Sequence, residues 1–148
     1  MFSAQVIKVA PNVYRGPEPM TELDVVYLQS HLGIETIINL QLRREPTKAL
    51  WKIIEYRLRE YRFRSWAFFP PSKDTVNLCM EVLRNANMYK DGFGPVYVHC
   101  QGGVDRTGFV IANYLLRFYS KSIPKKAVIR QMKALGMHWW FYWWTWFL

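Results

Sequence analysis

Several residue types are scarce in this sequence, and each shortage excludes a class of protein. The 148 residues include two cysteines, Cys79 and Cys100, which are too few for a disulfide-rich secreted scaffold. Glycine and proline number eight each and are scattered, which excludes collagen-like and low-complexity chains. No apolar run approaches the roughly 20 residues that cross a bilayer, and residues 1–10 lack the pattern of a signal peptide. We therefore expect a cytoplasmic protein.

Acidic residues are also few, 11 against 20 lysines and arginines, which gives a formal charge of +9 at pH 7. A basic surface attracts nucleic acid, acidic lipid headgroups or phosphorylated small molecules, and charge alone does not choose between them. Hydrophobic residues make up 51% of the chain, which is ample for one packed core. The length suits one domain, so we predict a single domain over residues 1–148 with an aromatic-rich C-terminal segment, 137–148.

Strand and helix patterns alternate along the chain. The predicted elements are a helix that begins at Thr21 with a Thr-x-x-Asp cap and ends at Gly33, a strand over 34–40, a helix over 46–60, a strand over 63–69, a helix over 72–89, a strand over 96–99, and helices over 109–119 and 123–135. Alternation of this kind predicts an α/β domain with a mostly parallel central sheet. Ligands of such sheets bind at the carboxyl ends of the strands.

The segment from Cys100 to Gly108, Cys-Gln-Gly-Gly-Val-Asp-Arg-Thr-Gly, joins the strand 96–99 directly to a helix. A turn of this kind directs backbone N–H groups toward an anion at the N terminus of the helix. Glycines at positions 102, 103 and 108 permit a tight backbone path and leave room for the anion. The predicted phosphate-binding residues are Gln101, Gly102, Gly103, Val104, Asp105 and Arg106.

Each reactive side chain of this loop has a predicted task. The positive field favours the thiolate form of Cys100, which makes it a nucleophile near neutral pH. Arg106 offers a planar fork that binds two phosphate oxygens at once. Thr107 can donate a hydrogen bond to the departing sulfur, and His99 is predicted to stiffen the loop through hydrogen bonds to nearby backbone. The alternative, a buried and inert cysteine, is the interpretation that we favour for Cys79.

The pattern His99-Cys100, five residues, then Arg106-Thr107 resembles the signature of cysteine-based phosphatases, the tyrosine and dual-specificity group. Residues 12–17 and 32–40 resemble the opening segments of small, atypical dual-specificity phosphatases, so the resemblance covers roughly residues 10–135. It implies that family's α/β fold and a two-step reaction. Cys100 would attack phosphorus to form a phosphocysteine, which water would then hydrolyse, with no metal or other cofactor.

The general acid does not follow the family pattern. That family normally places an aspartate on the loop before the helix that leads to the signature, but residues 66–69 are Trp-Ala-Phe-Phe. Asp74 lies just beyond the following prolines, where it could equally cap its helix. The sequence Gly-x-Asp-Arg-Thr around Asp105 resembles the myotubularin group of phosphoinositide phosphatases, whose loop aspartate is considered for acid or water-positioning roles. We rank Asp105 above Asp74; without an acid, aryl phosphates or phosphoanhydrides would be favoured.

Basic residues predict the class of substrate. A run of positive charge is ordinarily a solvated face, but residues that flank the strand ends are placed to ring the pocket. The candidate substrate-binding residues are Arg43, Arg44, Arg64 and Lys73. Such a ring suits inositol polyphosphates or phosphoinositides, and it agrees with the resemblance to cysteine phosphatases that degrade phytate. Tyrosine or dual-specificity protein phosphatase activity is the alternative.

The C-terminal segment is unusually aromatic and holds five of the seven tryptophans. We expect it to pack over the core as a last helix. It carries too many aromatic faces to bury them all, so self-association or contact with an anionic membrane surface is the second interpretation. Neighbouring basic residues would assist such membrane contact, so this second interpretation predicts a protein peripheral to a membrane.

Three rival functions use similar features. A catalytically weak phosphate-binding module would employ the same loop, but it would be expected to lack the cysteine or the arginine. RNA binding or RNA 5′-triphosphate hydrolysis suits the charge, but no basic strand motif interleaved with aromatics supports a nucleic-acid partner. A sulfur-transfer enzyme would also use a loop cysteine. Arg106 and Thr107 favour phosphoryl chemistry instead.

Overall fold

The computed structural model describes residues 1–42, 55–87 and 92–148. In these residues five strands form one sheet in the order β1-β2-β5-β3-β4. The strands are β1 (Ile7–Ala10), β2 (Val13–Gly16), β3 (Thr36–Asn39), β4 (Arg59–Arg62) and β5 (Val96–His99). Only β1 is antiparallel to its neighbour, while β2, β3, β4 and β5 pair in parallel. The predicted α/β fold with a mostly parallel sheet is confirmed.

The helices flank this sheet. They are α1 (Glu22–Val26), which continues as a π-helical turn (Tyr27–His31), α2 (Lys73–Arg84), α3 (Asp105–Phe118) and α4 (Lys125–Ala134), with 3-10 helices over Phe2–Gln5, Asn85–Asn87 and Trp139–Phe147. The predicted cap at Thr21 is confirmed, since its side chain accepts from the backbone N–H of Asp24. The backbone turns at Gly33, which has a φ of +67°.

The predicted boundaries around β4 are wrong. The strand covers Arg59–Arg62 rather than 63–69, and the helix predicted over 46–60 cannot include Arg59 and Glu60. β4 lies at the edge of the sheet and its sequence is Arg-Glu-Tyr-Arg, so partnership with β3 rather than an apolar pattern determines its position. Residues 46–54, and residues 88 and 89 of the helix predicted over 72–89, lie outside the described part of the chain.

The start of α3 also differs from the prediction. The helix begins at Asp105 rather than at 109, because the backbone N–H of Gly108 already donates to the carbonyl of Val104 over 2.8 Å. The last residues of the predicted phosphate loop are therefore the first turn of a helix. This places the N terminus of α3 inside the loop itself.

The core lies on both faces of the sheet. Val96 and Val98 of β5 pack with α2, α3 and α4 on one face, whereas Tyr97 packs with α1 on the other. Phe141 and Trp144 of the C-terminal 3-10 helix join the larger core cluster. In the described residues no helix is both long and apolar enough to cross a membrane.

Candidate active site

The site lies at the carboxyl ends of three neighbouring parallel strands. Gly16 at the end of β2 and Asn39 at the end of β3 both pair with His99 at the end of β5. Directly after His99 the chain enters the phosphate loop, residues 100–106. Cys100 is its first residue and is 3% exposed. Parallel strands place their carboxyl ends at one edge, so this loop meets the segments that follow β2 and β3.

The N terminus of α3 is open toward the loop. Its N-cap residue is Val104, whose side chain has no hydrogen-bond acceptor, so no side chain satisfies the first N–H groups of the helix from that position. The helix has 14 residues, long enough for a sustained positive end. This arrangement can hold an anion next to Cys100.

Gly103 is required by the loop geometry. It has a φ of +71°, and a Cβ built on it would overlap the backbone carbonyl of Gly16. Gly102 is different, because a Cβ there would meet nothing within 4 Å. Gly108 is intermediate, with its Cβ position 3.3 Å from a guanidinium nitrogen of Arg15. The three loop glycines therefore have different structural requirements.

Arg15 holds the loop in place, a role that was not predicted from the sequence. Its Nη2 donates to the carbonyl oxygens of Gly103 at 2.9 Å and Val104 at 3.2 Å. The side chain is buried, and burial lowers the pKa of Arg15 to about 10, while Cys100 and Asp105 act to raise it. Arg15 lies within residues 12–17, which resemble the opening segment of the family, so this resemblance was the signal that could have indicated a role for Arg15.

Arg106 is held in a fixed orientation. Its Nη1 donates to the carbonyl of Leu40, after β3, at 3.3 Å and to that of Ser65, after β4, at 3.0 Å. These bonds tie the loop to the ends of two further strands and leave other guanidinium N–H groups for a ligand. A buried guanidinium beside an open helix N terminus can bind a dianion in two places at once.

His99 and Thr107 flank the reactive residues in the chain. His99 is fully buried and its Nδ1 lies 3.0 Å from the carbonyl oxygen of Cys100, and burial lowers the pKa of His99. A neutral imidazole therefore donates to the loop backbone. The hydroxyl of Thr107 is buried and has no hydrogen-bond partner among the described residues. An unpaired buried hydroxyl next to the loop is available to a ligand or a sulfur atom.

A cavity of about 470 Å³ opens on the loop. Its described lining is Ala67, Phe68, Cys100, Gln101, Gly102, Val104, Asp105, Arg106, His138, Trp140 and Phe141. We call this the Cys100 cavity. Five of the six predicted phosphate-binding residues line it, and Gly103 faces a neighbouring cavity with Arg15. The aromatic wall was not predicted from sequence, because residues 66–69 and 137–148 are distant from the loop in the chain.

The other predicted site residues lie elsewhere. Lys73 lines a separate cavity of about 520 Å³ with Phe109 and Phe147. The described lining of the Cys100 cavity does not include Arg64 or Asp74. Asp74 is exposed in the first turn of α2, whose cap is the hydroxyl of Ser72. Arg43 and Arg44 lie outside the described residues.

Asp105 is bound at both of its carboxylate oxygens by one residue. Oδ1 accepts from the backbone N–H of His138 at 3.0 Å, and Oδ2 lies 2.8 Å from Nδ1 of the same histidine. The His138 ring stacks on Trp140, with centroids 4.8 Å apart. No signal in the sequence pointed to His138, since the contact joins residues 33 positions apart.

Comparison with known families and structures agrees with this geometry. A family model described as "Swiss Army Knife protein, DSP-PTPase phosphatase domain" matches residues 9–138. No curated protein matches the chain. The core catalytic domain of the PP-IP phosphatase SIW14 from S. cerevisiae has a TM-score of 0.73 at 17% identity, over 89% of this chain and 75% of that chain.

Two further solved structures share the fold. PTPMT1, solved in complex with PI(5)P, has a TM-score of 0.69 at 16% identity, and the match covers 88% of this chain and 81% of that chain. TpbA of P. aeruginosa has a TM-score of 0.65 at 22% identity, over 90% of this chain and 76% of that chain. At these identities the likeness establishes the common architecture.

Proposed function

Because this chain belongs to the DSP-PTPase phosphatase domains of the Swiss Army Knife family, within the cysteine-based phosphatases, we propose that it hydrolyses phosphate monoesters at Cys100. The observation that carries the proposal is that Cys100 lines one cavity together with the open N terminus of α3 and with Arg106, whose guanidinium is fixed. A phosphate seated there would have its phosphorus next to the sulfur and its oxygens on N–H donors.

The first step transfers the phosphoryl group to the protein. The Cys100 thiolate attacks phosphorus, the bond from phosphorus to the ester oxygen breaks, and that oxygen departs with the electron pair and accepts a proton. Arg106 and the backbone N–H groups of α3 hold the remaining oxygens as their charge is redistributed. Asp105 lines the cavity and belongs to the proton-donating machinery, whereas Asp74 is outside its described lining.

The second step regenerates the thiolate. Water attacks the phosphocysteine, the bond from phosphorus to sulfur breaks, and inorganic phosphate leaves. Thr107, whose buried hydroxyl has no partner among the described residues, is the proposed hydrogen-bond donor to the departing sulfur of Cys100. His99 supports both steps by holding the carbonyl of Cys100, as a positioning residue. These residues complete the reaction without a cofactor.

Inositol polyphosphates or phosphoinositides are the proposed substrate class. Two proteins with this fold support it, since SIW14 is a PP-IP phosphatase and PTPMT1 was solved with PI(5)P bound. The net charge of +9 suits a substrate that carries several phosphates. Such a substrate would extend beyond the loop toward other basic residues.

An aryl phosphate such as phosphotyrosine is the second candidate substrate. The observation that favours it is the aromatic wall of the Cys100 cavity, formed by Phe68, Trp140 and Phe141. A phenyl ring can pack against these rings when its phosphate reaches Cys100. Dual-specificity or tyrosine protein phosphatase activity would follow from this geometry.

The test is phosphate release from inositol hexakisphosphate and from a phosphotyrosine peptide, measured side by side across pH. Cys100→Ser, which keeps the size of the side chain but removes the thiolate, is the blank. Faster turnover of the inositol substrate supports the first substrate class, and cleavage of the peptide alone supports the second. If the wild-type protein is as inactive as Cys100→Ser yet binds phosphate tightly, it is a binding module and the enzymatic proposal is wrong.

We extend the proposal to contact with an anionic membrane surface. Trp139, Trp146 and Phe147 are strongly exposed, and α4, which contacts the C-terminal 3-10 helix, begins with Lys125 and Lys126. Interfacial tryptophan and lysine favour an acidic bilayer surface. The measurement is co-sedimentation with phosphatidylserine vesicles, with the double variant Trp139→Ala/Trp146→Ala as comparison. A concentration-dependent dimer without vesicle binding would indicate self-association instead.

A further inference from the structure

The contacts between Asp105 and His138 indicate a role for the histidine as well as for the aspartate. Both carboxylate oxygens are engaged by His138, one by its backbone N–H and one by Nδ1 of its ring. If Asp105 donated a proton to a leaving group, one of these two hydrogen bonds would have to break. When Asp105 is ionised it accepts both, so Nδ1 carries a proton and Nε2 is the free ring nitrogen. In the described part of the chain, the side-chain hydrogen bond of His138 is the one between Nδ1 and Asp105.

The ring of His138 is held at the Cys100 cavity from three directions. It stacks on Trp140 with an interplanar angle of 20° and makes a T-shaped contact with Phe141, with ring centroids 6.2 Å apart. Its Nδ1 is hydrogen-bonded to Asp105. The side chain is half exposed and lines the cavity, so it is accessible to a ligand. A side chain fixed by packing and by a carboxylate is preorganised for proton transfer.

We propose that His138 is the general acid of the reaction and that Asp105 orients it. This inference rests on the proposed phosphatase function. It accounts for the missing carboxylate at residues 66–69, because the proton donor comes from the C-terminal segment, which lines the same cavity. Among the described residues that line the Cys100 cavity, the charged and titratable groups besides His138 are Asp105 of α3, Cys100 and Arg106.

The proton balance follows from this assignment. As the bond from phosphorus to the ester oxygen breaks, the proton on Nε2 of the imidazolium moves to that oxygen and His138 becomes neutral. In the second step the neutral Nε2 takes a proton from the attacking water, and His138 returns to the imidazolium form. Asp105 stays ionised throughout. Histidine suits both directions because an imidazole nitrogen can donate a proton in one step and accept one in the next.

The test compares leaving groups in His138→Asn. Asparagine places an amide N–H near the position of Nδ1, so the bond to Asp105 can persist, but the variant has no proton to donate from Nε2. For an alkyl or inositol phosphate we expect kcat/KM to fall by about 100-fold or more. For p-nitrophenyl phosphate, whose anion departs without protonation, we expect a loss of less than about 5-fold. The alkaline limb of the pH profile should disappear with the poor leaving group.

Two controls make the comparison decisive. His31→Asn removes an exposed histidine of the π-helical turn after α1 and is expected to behave as the wild type. Vanadate inhibition of His138→Asn reports whether the phosphate loop is intact. Equal losses for both leaving groups, or loss of vanadate binding, would overturn the proposal and make His138 a structural residue. A wild-type protein no more active than Cys100→Ser would overturn the proposed function as well.

Discussion

At the scale of single residues, adjacent glycines of the phosphate loop have opposite requirements. Gly103 has a left-handed backbone conformation and touches the backbone of Gly16, whereas Gly102 borders open space. The contact lets the loop carbonyls reach Arg15, which would otherwise be a buried guanidinium without acceptors. Because Arg15 belongs to β2, its hydrogen bonds to these carbonyls attach the loop to that strand.

Gly103→Ala is expected to lower the free energy of unfolding by about 1–3 kcal/mol, because alanine is strained at this φ and its Cβ meets the Gly16 carbonyl. Gly102→Ala is the matched control and should change it by less than about 0.5 kcal/mol. Urea denaturation of both variants measures the difference. Equal stabilities would contradict the close approach of the loop to β2.

At the scale of elements, helix α1 shows how a local signal determines a boundary. Thr21 accepts from Asp24, and the carboxylate of Asp24 accepts from the backbone N–H groups of Thr21 and Met20. All partners lie within four residues, so the sequence pattern was sufficient to predict the helix start. The edge strand β4 has no equivalent local signal, and its position depends on β3.

Thr21→Ala is expected to destabilise the protein by about 1 kcal/mol, because it removes the side-chain acceptor of the capping box. Thr21→Ser retains that oxygen and should lie within about 0.5 kcal/mol of the wild type. Thermal or urea unfolding distinguishes them. A serine variant as unstable as the alanine variant would show that the threonine methyl group, and not the cap, supplies the stability.

At the scale of the whole molecule, the C-terminal 3-10 helix both covers the core and exposes aromatic side chains. Trp144 is fully buried, with its ring 4.6 Å from Phe141 and 6.1 Å from Phe109 of α3. Trp146, two residues later, is 84% exposed. The segment therefore agrees with the expectation that it covers the core without burying all of its aromatic faces.

Trp144→Ala is expected to cost about 3–5 kcal/mol, because it removes a buried aromatic side chain and leaves a cavity under the C-terminal helix. Trp146→Ala should change the free energy of unfolding by less than about 0.5 kcal/mol. Denaturation followed by circular dichroism compares the two. Similar effects would indicate that this segment does not contribute to the core.

Global stability should also depend on His99. Burial lowers the pKa of His99 below its ordinary value of 6.5. Between the folded-state pKa and 6.5 the unfolded chain binds a proton that the folded chain does not, so stability falls as the pH decreases through this window. The slope from this residue is at most about 1.4 kcal/mol per pH unit.

The variant His99→Asn is expected to lose this part of the pH dependence, since asparagine supplies a donor near the Cys100 carbonyl but does not titrate. Urea denaturation at several values between about pH 7.5 and about pH 5 measures both slopes. Wild-type and variant slopes that coincide would mean that the folded chain protonates His99 as readily as the unfolded chain does.

The amino-acid sequence was sufficient to predict the α/β class, the cap at Thr21 and the strand–loop–helix unit that carries Cys100 and Arg106. Each of these depends on residues that are close together in the chain, so periodicity, capping and spacing are sufficient to predict them. The roles predicted for these loop residues stay predictions, and the experiments above test them. The boundary of α3 was missed because the loop and the first helical turn share residues.

Only the tertiary structure placed Arg15 under the loop, His138 on Asp105 and an aromatic wall around Cys100. Arg15 and Gly103 are 88 positions apart, and His138 and Asp105 are 33 apart. No local pattern distinguishes a buried bracing arginine from a surface one, or a histidine at a cavity from one in solvent. Such contacts arise when parallel strands bring their carboxyl ends to one edge and the C-terminal helix folds back over that edge.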